Sequence, residues 1–375
     1  MSYYILPKNN NIIIVEPRIN LTILKPYISH SLYNFYHNVK KQIITMGYDL
    51  SYNEYEEIIT TVNPYEYIFS KVPGSKFSVS KLKPKTNMFY EYLEITSTLN
   101  IFEPFKNKTI KSLHISSSCD DSVECIEMIR ENYIEDKIFS FETINDEMYK
   151  SIIEENFDFM FFDKNCDNLN NYVINFIEFI MLILRFQSNN GVSIIKIDYV
   201  FHKPIVDMMY LITSLFDKVF VIKPNTSNIT TFEKYLVCKG FISNENKLEL
   251  YKQNYIKLHN FIKNPQRENV STIISNNIPY YFINKLDDMN CIIGQQQLEA
   301  LDLIISIFKN TNKEDKIEII KKTNIQKSVN WCEKFQIPYN KFSDKTNIFL
   351  PIIRDIKENS IRDTDSRLFE DMLDT

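Results

Sequence analysis

The chain reads as an α/β protein with a mostly parallel sheet, an antiparallel last strand, and helical extensions at both ends. Three observations lead there. From Ser112 to Phe241, short apolar runs alternate with longer stretches of helical spacing, which implies parallel strands joined by helical crossovers. The last two apolar runs, KVFVIKP (218–224) and EKYLVCKGF (233–241), are separated by about eight polar residues. A parallel crossover needs roughly a dozen or more, so this final pair should be antiparallel. Outside this span the apolar residues recur at helical intervals.

Taken in order, residues 1–100 form an N-terminal helical extension. It opens with a polar stretch, then a helix over about 29–46 with Leu32, Phe35, Val39 and Ile43 on one face. NPYEYIFSKVPGSKFSVSK (63–81), broken by Pro64 and Pro73, reads as loop. A second helix covers about 86–100, with Phe89, Leu93 and Leu99 together. Residues 101–245 form the core. Its strands are 112–115, 137–141, 157–163, 191–198, 218–224 and 233–241, and its helices about 121–133, 170–188 and 203–216. Residues 246–355 return to helical spacing, and 356–375 form a charged tail.

Composition bounds the function. The chain has 375 residues, 44% hydrophobic and 24% charged, as in ordinary soluble globular proteins. A net charge of −5 argues against a protein that coats nucleic acid, though not against a local basic groove. No apolar run reaches the roughly 20 residues of a membrane span; the longest, 172–186, is interrupted by Asn175, Glu178 and Arg185. No secretory signal is evident, and the six cysteines contain no Cys-x-x-Cys pair, so reduced thiols in a cytoplasmic protein are expected, with no metal centre and no membrane partner. There are only five glycines, Gly47, Gly74, Gly191, Gly240 and Gly294, and no two are close. Glycine-rich phosphate or dinucleotide loops are therefore excluded.

Glu233 stands at the mouth of an apolar strand, and Lys196 and Asp163 end two others. Unpaired charges there would be costly, so a structural Lys196–Glu233 or Lys196–Asp163 ion pair is one explanation. Active-site chemistry is the other.

The stretch IIKIDYVFHKPIVDMMYLITSLFDKVFVIKPNTS followed by FEKYLVCKGF (194–241) resembles the FtsJ-type RNA ribose 2′-O-methyltransferases. The nearest likeness is to the mRNA cap enzymes of large cytoplasmic DNA viruses, the mimivirus- and asfarvirus-like branch. NPYEYIFSKVPGSKFSVSKLKPKTNMFYEYLEI (63–95) and NIQKSVNWCEKFQIP (324–338) carry further resemblance, and together the likeness spans most of residues 25–340. It implies a Rossmann-like S-adenosylmethionine methyltransferase fold and a Lys-Asp-Lys-Glu tetrad, in which a lysine activates the ribose hydroxyl beside the methyl donor. Matched residue by residue, the aspartate is Asp163, the second lysine Lys196 and the glutamate Glu233.

Two matches fail. The family's Pro-Leu-Ser-Arg-Ser-Phe-Phe-Lys-x-x-Glu-Ile reads PKTNMFYEYLEI here, from Pro84 to Ile95, so Glu91 replaces the first lysine and Asn87 the arginine. The cofactor turn, glycine-rich in the family, reads Ser116-Ser117-Ser118, without the glycines that let backbone approach a ligand. The resemblance thus implies a degenerate cap methyltransferase homologue with no cofactor, acting as an RNA-binding or protein-binding subunit in viral mRNA capping, expression or translation. Its expected partners are RNA, including capped mRNA, and a protein. An active enzyme using S-adenosylmethionine in a remodelled pocket, and a scaffold that touches no RNA, are the alternatives. Lys203, beside Pro204, is the expected RNA contact.

Overall fold

The computed structural model describes residues 2–20, 24–47, 51–69, 78–117, 119–166, 168–243, 245–264, 269–309 and 314–340. Its centre is a seven-stranded sheet built from β1 (Ser2–Leu6), β3 (Lys111–Ser116), β4 (Lys137–Phe141), β5 (Phe157–Asp163), β6 (Gln187–Ile197), β7 (Phe216–Lys223) and β8 (Lys234–Phe241). The strand order is β1-β7-β8-β6-β5-β3-β4. Strands β4, β3, β5 and β6 run parallel. Strand β8 lies antiparallel to both β6 and β7. This is the Rossmann-like sheet with one reversed strand that the short 224–233 connection implied.

The central strands have no polar face to spare. FDFMFFD of β5 buries all but one residue because helices cover both sides. One face is covered by α6 (Leu169–Phe186) and α7 (Lys203–Leu215), with α8 (Glu245–Ile262) outside α6. There Met160, Phe162, Ile195 and Ile197 meet Ile177, Ile180, Val206 and Met209. The other face is covered by α3 (Met88–Thr98), α4 (Cys119–Ile129) and α10 (Glu314–Lys334). There Phe159, Phe161, Tyr235 and Val237 meet Phe89, Leu93 and Trp331. A third cluster joins α1 (His30–Gly47) to α9 (Tyr280–Phe308) through Tyr36, Ile43, Leu301 and Ile304.

Helix α6 starts at Asn168, whose side chain accepts the Asn171 N–H, and ends where Gln187 turns directly into β6. By length and composition α6 and α9 could each cross a bilayer. In this fold α6 spends its apolar residues on the sheet and on α7, at roughly 1.5–3 kcal/mol for each large side chain fully buried.

Several elements differ from the sequence expectation. The opening stretch is not merely polar, and the first hundred residues are not all helical. SYYIL forms β1, an edge strand paired antiparallel with β7 from Ser2↔Lys223 to Leu6↔Val219. Five residues hold no periodic signal of their own; the pairing partner lies over 200 residues away. Strand β2 (Val15–Ile19) pairs with β9 (Val270–Ile274), so the region after 245 is not purely helical either. Helix α2 (Tyr52–Val62) fills an unassigned stretch, and its signal was present. Ser51 and Glu54 form a reciprocal capping box, the S-x-x-E signature. The 63–81 loop contains a single 3₁₀ turn at Glu66–Phe69, and α5 (Asp146–Ile152) adds a short crossover helix. The 356–375 tail lies outside the described residues.

The crossover from β3 through α4 leads to β4 on one side. The next crossover, through α5, leads to β5 on the other side of β3. The strand order therefore reverses between β3 and β5. In open α/β sheets, ligands bind at the carboxyl ends of strands flanking such a point. Ser116 pairs with Asp163 there.

Candidate functional site

Four of the residues singled out in the sequence converge at these carboxyl ends. Lys196 ends the buried run of β6, opposite Tyr235 of β8. Asp163 is the last residue of β5, Glu233 directly precedes β8, and Glu91 projects from the first turn of α3. The Lys196 ammonium lies 3.4 Å from Asp163 Oδ1 and 3.3 Å from Glu233 Oε1. Tyr92 donates its hydroxyl to Asp163 Oδ2 at 2.7 Å, and Tyr235 donates to Glu91 Oε2 at 2.8 Å. The Lys196 and Asp163 side chains are 13% and 5% exposed, whereas Glu233, at 33%, faces the opening.

The electrostatics follow from burial and this crowding. Burial alone would lower the Lys196 pKa, but Asp163, Glu233 and Glu91 together outweigh it and hold the ammonium above its usual range. Burial pushes Glu91 up to about 7, with Lys196 opposing and Glu233 adding to the rise. Burial also raises Asp163 against the pull of Lys196 and the Tyr92 hydroxyl. Burial would raise Glu233 as well, but Lys196 and Lys223 prevail, and it titrates below the usual range. Near neutral pH the cluster is a locked cation among three carboxyls. A general base needs a free lone pair, and Lys196 has none to offer.

Lys223, the lysine of the Lys-Pro step, does not fill the missing position. Its ammonium donates to the carbonyls of Asn228, Thr231 and Glu233, each at 2.9 Å, and so folds the loop that presents Glu233. These three bonds use its whole donor capacity. Burial lowers its pKa to about 8. Lys234, fully buried, likewise donates to the carbonyls of Asp198 and Phe232, at 2.7 and 2.8 Å. Glu94, one turn beyond Glu91, accepts the Thr226 N–H at 3.2 Å and the Thr226 hydroxyl at 3.1 Å. Asn87, at the family's arginine position, donates to the Thr226 carbonyl at 3.3 Å. Helix α3 is thereby fastened to the same loop.

The serine turn behaves differently from a ligand cradle. Ser116 is buried at the end of β3. Ser117 donates its N–H to the Asp163 carbonyl at 3.0 Å, and its hydroxyl accepts the Asn165 N–H at 3.3 Å. Ser118 lies outside the described residues. Below the turn, His114 is fully buried, with Nδ1 2.8 Å from Ser122 Oγ and Nε2 3.2 Å from Ser112 Oγ. Burial lowers its pKa to about 3, so it is neutral and ties β3 to α4.

Lys203 is not gathered into the cluster. It forms an i,i+4 ion pair with Asp207 and lies over the Tyr27 ring at 5.4 Å. The Asp207 side chain is fully buried and also accepts the Thr272 hydroxyl at 2.6 Å and the Ile273 N–H at 2.8 Å. Sequence reasoning missed Tyr92, Tyr235, Lys223 and Glu94. All four lie inside the motifs that carry the resemblance, but their roles depend on partners that no local pattern reveals.

No family model matches the chain, and no curated protein matches it. Among solved structures, a probable spermidine synthase from Corynebacterium glutamicum ATCC 13032 aligns at 9% identity over 56% of this chain and 92% of that one, with a TM-score of 0.27. So low a score carries no argument, and the fold assignment rests on the strand order above.

Proposed function

We propose that this chain is a catalytically degenerate homologue of the cap ribose 2′-O-methyltransferases, serving as an RNA-binding or protein-binding subunit in viral mRNA capping, expression or translation in the cytoplasm. One observation carries the reading. Glu91, not a lysine, completes the ring around Lys196. With every group ionised, Glu91, Asp163, Glu233 and Lys196 sum to −2. A ribose hydroxyl flanked by phosphates would meet net repulsion and no neutral amine. The glycine-free serine turn supports the same reading, because its Ser117 amide is already bonded to Asp163.

A second reading is favoured by the 3.3–3.4 Å convergence of Asp163, Lys196 and Glu233. In it the chain is an active S-adenosylmethionine-dependent cap methyltransferase with a remodelled donor pocket. Incubation of the purified chain with radiolabelled S-adenosylmethionine and capped transcripts separates the two. Under the degenerate reading no label reaches the RNA. Label transfer that is lost in Lys196→Ala would establish the active enzyme instead. Retention of capped RNA that weakens steeply with salt is expected of an RNA-binding subunit. Its absence, with no transfer, leaves the protein-binding role.

A further inference from the structure

The crevice above Ser116, Ser117 and Asp163 has the first turn of α4 as one wall and the 224–233 loop beyond Lys196 as the other. Residues 84–88, which lead into α3, cross between them. At the α4 wall, Thr86 donates twice to one carboxylate: its N–H to Asp121 Oδ1 at 3.0 Å and its hydroxyl to Asp121 Oδ2 at 2.8 Å. Asp121 is 0% exposed. The adjacent Lys85 N–H donates to Glu124 Oε2 at 3.2 Å, one helical turn on. At the opposite wall, Asn87 reaches the Thr226 carbonyl at 3.3 Å. The Met88 N–H donates to Thr86 Oγ1 at 3.2 Å and sets that hydroxyl's orientation.

We infer that the Thr86–Asp121 clasp is a latch that holds the crevice closed against a nucleoside ligand. A carboxylate at the start of a helix that follows the first parallel strand stands where a ligand's paired donors would be read. Here one residue of the chain supplies both donors. The strap is fastened at both walls, so entry of a ligand requires the Thr86 bonds to break. This inference rests on reading the crevice as a methyltransferase-type donor site.

The test is calorimetric titration of the full chain with S-adenosylhomocysteine, comparing wild type with Thr86→Val and Asp121→Asn. Thr86→Val keeps the side-chain shape and removes the hydroxyl donor; Asp121→Asn keeps the shape and removes the charge. Each variant is expected to bind at least tenfold more tightly than wild type. Hydrogen exchange of the amides over 121–125 should be faster in the variants, while β5 and β6 stay as protected as in wild type. Variants that remain folded by this exchange criterion yet bind no more tightly than wild type would overturn the latch. So would tight binding by wild type that neither substitution changes. Methyl transfer by the wild-type chain would instead refute the degenerate reading and leave the wild-type-to-variant ratio as the judge of the latch.

Discussion

Tyr235 of β8 donates its hydroxyl hydrogen to Glu91 of α3 at 2.8 Å, across 144 residues of sequence. The bond places a carboxyl group, 7% exposed, against the lysine it would have to replace for catalysis. Both partners pay for this position in their titration: burial raises Glu91 to about 7 and drives the Tyr235 phenol well above its usual range.

The Glu91 shift has a definite sign in stability. An acid whose pKa is higher in the folded chain binds more protons there than when unfolded. Between about 4.5 and 7 the folded state therefore loses stability as pH rises. The loss attributable to Glu91 is about 3 kcal/mol. Denaturant unfolding of wild type and Glu91→Gln at several pH values should give curves that diverge across this window, with the variant relatively more stable at pH 7 than at pH 4.5. Parallel curves would mean that Glu91 titrates as an ordinary carboxyl.

Lys196→Met removes the cation that Asp163 and Glu233 share. Breaking a buried pair by deleting one partner costs about 3–5 kcal/mol; the partial exposure of Glu233 places this chain near the lower end. The destabilisation should shrink below pH 5 as the stranded carboxylates take up protons. A loss independent of pH would point to packing of the lysine stem instead.

Lys223→Met leaves three buried carbonyls without their donor and releases the loop that carries Glu233. Unsatisfied buried groups cost about 1–3 kcal/mol each and are not additive, so a total near 3–5 kcal/mol is expected. Amides over 226–233 should exchange faster in the variant while α6 remains protected. Equal protection of the loop in both proteins would show that the lysine is not its organiser.

Lys203 has a structural partner, and a double-mutant cycle measures the partnership. Lys203→Met strands the buried Asp207 and should cost about 2 kcal/mol. In the Asp207→Asn background the same change should cost little, giving a coupling energy of about 1–2 kcal/mol. Additive effects would free Lys203 for the RNA contact expected from sequence.

The parallel core was legible because its strands are buried on both faces and read as continuous apolar runs, and because eight polar residues cannot form a crossover. The charged cluster was legible through Asp163, Lys196 and Glu233, each a charge at the end of an apolar strand. The phenols were not. Tyr92 and Tyr235 look like two more aromatics in a chain with 23 tyrosines, and only the sheet register turns them toward carboxylates. Lys203 misled because its position after the lysine strand suggested a rim, while Asp207, one turn on, is buried by β9, a strand whose partner β2 lies near the other end of the chain.

The pairing of Ser2–Leu6 with Val219–Lys223 also sets a schedule for biosynthesis. The first strand made is the last one placed: at roughly 5–20 residues per second, translation needs about 10–40 s to deliver its partner. Through that interval the apolar segment Tyr-Tyr-Ile-Leu must be shielded on the ribosome, and a fusion at the amino terminus would sit at the rim of the finished sheet.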